Sequence, residues 1–228
     1  MKFIPKLFMT EMVQAIQEGR KTVTRRPMKP QPIVFNEHFP LPIPVNEMSK
    51  QLKQFAKKGY TQIYTSGPLS GKMGPALPAA PGDIIWVRET WAKSTDIPGF
   101  EPISGCEDYS DLFIYRADFN NEPVDWNWKP SLFMPKEACR FFLRVKDCSW
   151  QRLEEITTNE YWKEGLDTEL DYEDGILDLE RKWVELWCGM YHEYSPGQWV
   201  SRTEFEEIGP DELPAIREQF LNDKTVKI

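Results

Sequence analysis

The sequence has few of the residues and patterns that mark common site types. There are two histidines, His38 and His192. They lie far apart and have no ligand-spaced carboxylates or thiols around them, so no metal centre is expected. Four cysteines, Cys106, Cys139, Cys148 and Cys188, form no CxxC pair or Cys/His cluster. They read as buried free thiols rather than disulfides or metal ligands. No apolar run approaches the length of a membrane span. The N-terminal stretch lacks a long apolar segment and a small-residue cleavage site, so no signal peptide, no membrane partner and a cytoplasmic location are expected. The glycines fit neither a dinucleotide fingerprint nor a Walker loop, since Gly71-Lys72 has no following hydroxyl. No cofactor is expected.

The chain has 228 residues, 9 tryptophans and 13 phenylalanines, and 40% of it is hydrophobic. That is a folding composition, sufficient for one domain or at most two. Its formal charge of -8 is unevenly spread: residues 1–30 carry seven basic and two acidic side chains, residues 147–228 eight basic and 21 acidic. Strong binding to duplex nucleic acid is not expected of such a body, because phosphate neutralisation dominates that affinity. A local basic pocket can still hold one small anion or one nucleotide. The acidic half reads equally as solvated surface.

Positive charge is densest in Glu18-Gly19-Arg20-Lys21-Thr22-Val23-Thr24-Arg25-Arg26. A helix over 11–18 is expected before it, with Thr10 as cap, Met12, Val13, Ala15 and Ile16 as an apolar stripe, and Gly19 as the stop. The C-terminal end of that helix has the wrong sign to hold an anion, so side chains and turn amides would have to do so. A short strand over Val23–Arg26, ended by Pro27, would present Thr22 and Thr24 on one side.

Residues 27–80 read as a proline-rich insertion, with a short helix over 49–58, a strand over Tyr60–Tyr64 and a loop over Gly67–Pro81. A strand over Ile84–Trp91 carries one charge on each face, Arg88 and Glu89. If buried they need partners, either each other or the Arg25/Arg26 turn. Further strands are expected over Leu112–Ala117, over Arg140–Val145 with a continuation toward Cys148, and over Gln198–Phe205. Trp126 and Trp128 form an aromatic turn that either stacks a base or packs as core or lid. Thr157-Thr158-Asn159-Glu160 reads as a capping box. The helix it opens ends at Gly165 and leaves Glu164 against an unfavourable dipole, which invites a cation. A long helix spans Ile176–Met190, with Leu179, Trp183, Leu186, Trp187 and Met190 at core spacing. Residues 207–228 form a charged extension with a helix near Pro214–Leu221. Strands and helices do not alternate regularly, which argues against a doubly wound sheet.

Several of these stretches resemble the ASCH family, a branch of the PUA-like fold, in its long phage- and prophage-associated form. They are Glu11 through Arg26, Pro81-Gly82-Asp83-Ile84-Ile85-Trp86-Val87-Arg88-Glu89-Thr90-Trp91, Tyr115-Arg116-Ala117-Asp118 and Trp128 to Pro135, then Ile156 to Gly165, Leu186-Trp187 and Trp199 to Phe205. The resemblance implies an α+β fold: a small mixed PUA-like β-barrel with peripheral helices, as a single domain over 1–206 with the 27–80 insertion, and a cleft lined by the lysine turn. The family is described as RNA-binding or RNA-modifying, and one short branch hydrolyses N4-acetylcytidine to cytidine and acetate. Carried over by motif, the catalytic residues are Lys21, Thr24 and Glu164. Arg20, Thr22, Arg25, Arg26, Arg88, Glu89 and Trp128 are the candidate substrate contacts. The insertion, the expanded middle and the extra C-terminus depart from that branch.

Amide hydrolysis would need Thr24 Oγ activated by a base. Lys21 can be that base only if part of it is neutral; arginine neighbours and burial favour this, and Glu164 opposes it. Glu164 could instead pass a proton to the leaving amine or orient water. Arg88 and Glu89 are open to two readings, as structural partners or as readers of a base edge. Three functions follow: an enzyme or binder acting on a modified nucleoside, a nonenzymatic module for short single-stranded RNA, and a protein contact through the proline-rich insertion.

Overall fold

The computed structural model describes residues 1–34, 52–64, 70–97, 112–119, 126–170 and 172–226. Its principal sheet is built from β1 (Phe3–Leu7), β2 (Val23–Pro27), β6 (Ile84–Arg88), β9 (Phe142–Arg152) and β10 (Trp199–Glu207). Their spatial order is β1-β6-β9-β10-β2; β1 runs parallel to β6, and the other pairs are antiparallel. The insertion contributes a small sheet of β3 (Ile33–Val34), β4 (Gln62–Ile63) and β5 (Lys72–Gly74), and β7 (Trp91–Lys93) pairs with β8 (Phe113–Tyr115). The helices used below are α1 (Thr10–Gln17), α2 (Thr158–Lys163), α3 (Tyr172–Tyr191) and α4 (Leu213–Asn222), and residues 52–57 of the insertion are also helical.

From Ile84 to Val87, β6 is apolar on both faces because both are covered, as its unbroken burial shows. On one side Ile85 and Val87 meet Met12, Val13 and Ile16 of α1 together with Phe205. On the other, Ile84 and Trp86 meet Phe142 and Phe220. Phe220 comes from α4 and is fully buried, so the charged C-terminal segment is anchored in the core. A third cluster joins Leu179, Trp183 and Trp187 of α3 to Tyr161 and Val200. No helix among the described residues is long and apolar enough to cross a membrane.

The expected closed barrel is not formed. Lys6 of β1 reaches Thr203 of β10 across the inside, with Nζ 3.1 Å from Oγ1, so the sheet curls until its edges face each other. The edges do not join, and the backbone supplies the reason. Phe8 N donates to Arg88 O and Ile84 N to Lys2 O. In a parallel ladder that turns the amide groups of Pro5 and Leu7 outward. Across β10, Phe205 N donates to Thr22 O and Met28 N to Trp199 O. That turns those of Val23, Arg25 and Pro27 outward. Each free edge therefore carries a proline where a closing ladder would need a donor. A single guanidinium spans the seam instead: Arg26 Nη2 donates to Leu7 O at 2.7 Å and Nη1 to Arg25 O at 3.2 Å.

Other expectations shift locally. The helix after the N-terminal strand begins at Thr10, with Met9 as N-cap and no side-chain cap. Met73 and its neighbours within the expected 67–81 loop form β5, and the expected 84–91 strand is two strands, β6 and β7. His38 and Cys106 fall outside the described residues. Cys139, Cys148 and Cys188 are free thiols.

Candidate functional site

α1 and α2 end against each other, and the basic turn lies in that junction. Lys21 N donates to Ala15 O and Thr22 N to Lys163 O, at 2.9 and 2.8 Å. The approach depends on Gly165. Its φ is +89°, and a Cβ there would lie 2.6 Å from that of Ala15 and 3.1 Å from that of Lys21. This junction brings the later carboxylate to the early turn. Lys21 Nζ lies 2.7 Å from Glu164 Oε2 and 2.8 Å from Glu164 O, and Arg25 Nη1 lies 2.8 Å from Glu164 Oε1. The helix end that disfavours Glu164 is thus met by two cations.

Glu160 belongs to the same cluster. Thr157 is the N-cap of α2 but makes no side-chain cap bond. The Glu160 carboxylate turns away from the expected capping box to Arg25 Nη2 and Arg202 Nε. Charge-assisted bonds to two guanidiniums outweigh one bond to a backbone amide. Arg202 sits directly opposite Arg25 in the β2–β10 register, so Glu160 also relieves the repulsion between them. The Lys21 and Glu164 side chains expose 0% and 2% of their surface. Burial pushes the Lys21 amine below its ordinary value, Glu164 pulls it back up, and Arg26 and Arg25 push it down again.

Thr24 lies on the face of β2 opposite Arg25. It pairs with Thr203 across β2–β10, and Thr203 pairs with Cys148 across β10–β9, so the three form one row. Thr203 Oγ1 accepts from Lys6 Nζ. Thr24 Oγ1 is buried and has no hydrogen-bond partner among the described residues.

The open seam is the mouth of a cleft of about 690 Å³ between β1 and the last turn of α3. Lys6 and Arg26 supply its cationic wall, Pro5, Phe8 and Met190 its apolar wall, and Thr90, Ser131 and Tyr191 its other polar groups. Lys6, which sequence reasoning overlooked, is 8% exposed. Its amine is pushed down to about 8, by burial first and then by the charge of Arg26. The available signal was its parity: in a strand, Lys6 shares a face with Ile4 and Phe8.

The expected contacts divide. Arg26 lines the cleft, whereas Lys21, Thr24, Arg25 and Glu164 lie behind the wall. Arg20 bonds Glu18 and Gly165 O at the outer surface, and Thr22 is engaged through its backbone. Arg88 and Glu89 pair neither with each other nor with the basic turn. Arg88 Nη2 holds Leu132 O and Met134 O, and Glu89 accepts Arg140 Nε and Nη2 at 2.9 Å each. Trp128 packs with Trp126 and Phe119, ring centroids 5.5 and 6.0 Å away, under the Arg116 guanidinium. Among the described residues no three His, Cys, Asp or Glu side chains are grouped as metal ligands.

No protein-family model matches the sequence, and no curated protein matches it. Among solved structures, the ASCH domain from Lactobacillus crispatus JV V101 aligns with 90% of this chain over 79% of its own, at 11% identity and a TM-score of 0.32. The likeness is a distant one. At that distance the likeness bears on neither substrate nor activity.

Proposed function

We propose that the protein binds a nucleoside unit, free or within a short single-stranded RNA, in the cleft between β1 and α3. The observation that carries this is unpaired charge in a space of the right size. Lys6 and Arg26 line the cleft, and among the described residues neither forms a salt bridge with a carboxylate. Lys21 and Arg25 behind them are both matched. A volume of about 690 Å³ falls within the roughly 300–1,000 Å³ of small-molecule sites. The apolar wall suits a base and sugar, and the single seam disfavours a duplex.

A second reading, hydrolysis of an N-acylated cytidine, is favoured by Thr24 Oγ1, a buried hydroxyl without a partner, and by the lowered Lys21 amine. In it Thr24 Oγ attacks the acyl carbonyl and Lys21 takes the hydroxyl proton. The proton then passes, with Glu164, to the departing cytosine amine, and water releases the acyl group as acetate. The acyl group would have to enter past the Lys6–Thr203 bond.

Titration of cytidine, N4-acetylcytidine and a short single-stranded oligonucleotide, with chromatography of the products, tests both readings. Binding without turnover leaves a nonenzymatic module, and release of acetate favours the hydrolase. Failure of all three to bind overturns the proposal.

A further inference from the structure

We propose that Lys6 and Arg26 form a subsite for a phosphate monoester, so that the cleft prefers a nucleoside monophosphate, or the phosphorylated end of a short RNA, to the bare nucleoside. The inference rests on the nucleoside reading above and names the substrate class within it.

The two cations come from opposite edges of the sheet, Lys6 from β1 and Arg26 from β2, and meet only because the sheet curls without closing. Lys6 Nζ has three donors and one acceptor in Thr203 Oγ1. The Arg26 guanidinium has five, and its partners are Leu7 O, Arg25 O, Met190 Sδ and the Tyr191 hydroxyl. Both therefore keep donors for a further acceptor. The charge count points to a monoester. A phosphomonoester carries about -1.5 to -2 at neutral pH because its second pKa is near 6. That matches two uncompensated cations, whereas a phosphodiester brings a single negative charge.

The groups acting on Lys6 come from several elements: Arg26 from β2, Cys148 from β9, Glu164 beyond α2, Lys21 beyond α1, and the Thr203 hydroxyl from β10; Tyr191 of α3 lines the same cleft. Burial and Arg26 hold the amine down near 8. An arriving dianion favours the ammonium and draws in a proton. Binding of the phosphate is thus coupled to protonation at alkaline pH.

The test compares cytidine with cytidine 5′-monophosphate by calorimetry, in the native protein and in Lys6→Met, with inorganic phosphate as competitor. The native protein is expected to hold the monophosphate about 10- to 100-fold more tightly, as one charged hydrogen bond allows. Lys6→Met should bring that ratio close to one. In the native protein, affinity for the monophosphate should fall about tenfold per pH unit above about 8. Titrations in two buffers of different ionisation enthalpy should show proton uptake there. The pH profile needs no variant, so it stands even if Lys6→Met folds poorly. If cytidine binds and the phosphate adds nothing, the subsite is overturned and the nucleoside reading survives. If monophosphate and inorganic phosphate bind alike while cytidine does not, the subsite survives and the nucleoside reading is overturned. If no ligand binds, both are overturned.

Discussion

Lys21 and Glu164 are 143 positions apart in the chain, and their charged groups are 2.7 Å apart in the fold. With Arg25 and the partly buried Glu160 they form a cluster of two cations and two anions, which Arg202 joins through Glu160. Such a cluster adds little net stability over an apolar core, but removing one member leaves a charge buried alone.

Glu164→Gln is therefore expected to destabilise the protein by about 3–5 kcal/mol in denaturant unfolding. Adding Lys21→Met should restore part of the loss, because it removes the charge left unmatched. A single-variant loss under about 1 kcal/mol would show that the cluster is solvated and not sealed.

Thr24→Val separates folding from chemistry. The lost hydroxyl has no partner among the described residues, so stability should hold or rise by about 1 kcal/mol. If Thr24 is the nucleophile, release of acetate from N4-acetylcytidine stops in this folded variant. Turnover equal to the native rate would remove Thr24 from the mechanism.

Lys6 gives a stability profile whose sign is set by burial. Its amine titrates near 8 in the fold, below its ordinary value of 10.5. Between those values the unfolded chain binds more protons, so this contribution to stability rises with pH and is least favourable below about 8. Lys6→Met removes the term. The variant should exceed the native protein by up to roughly 3 kcal/mol near pH 7, less what the Thr203 bond contributes. The gap should narrow toward pH 10. Urea melts of both proteins at several pH values measure it, and a gap that widens with pH would contradict the assignment.

Gly165→Ala places a methyl against Ala15 and Lys21 at a positive φ. A loss of roughly 2–4 kcal/mol is expected from backbone strain and overpacking together. Ala15→Gly in the same chain should relieve the clash but not the strain. If Gly165→Ala melts like the native protein, the junction of α1 and α2 is looser than the contact implies.

Sequence patterns announced what local rules govern. The apolar spacing of Leu179, Trp183 and Trp187 marked α3, and Glu164 at a helix end announced its need for a cation. Failures came where distant residues compete. Glu160 fits a capping box by spacing, yet Arg25 and Arg202 arrive from two other strands and take its carboxylate. Arg88 and Glu89 find partners at Leu132, Met134 and Arg140 that no spacing rule connects to them. The cleft depends on β1 and β2 becoming opposite edges of one sheet, a matter of strand order that neither strand encodes alone. Lys6 stayed hidden for that reason.

The prolines on the free edges have a bearing on behaviour between molecules. An exposed strand ordinarily offers alternating donors and acceptors to any passing chain, and crowded proteins stick together through such rows. Here Pro5 and Pro27 each interrupt the row, and Arg26 already occupies the Leu7 and Arg25 carbonyls between them. A molecule built this way can keep a permanent gap in its wall without offering a template for fibre growth.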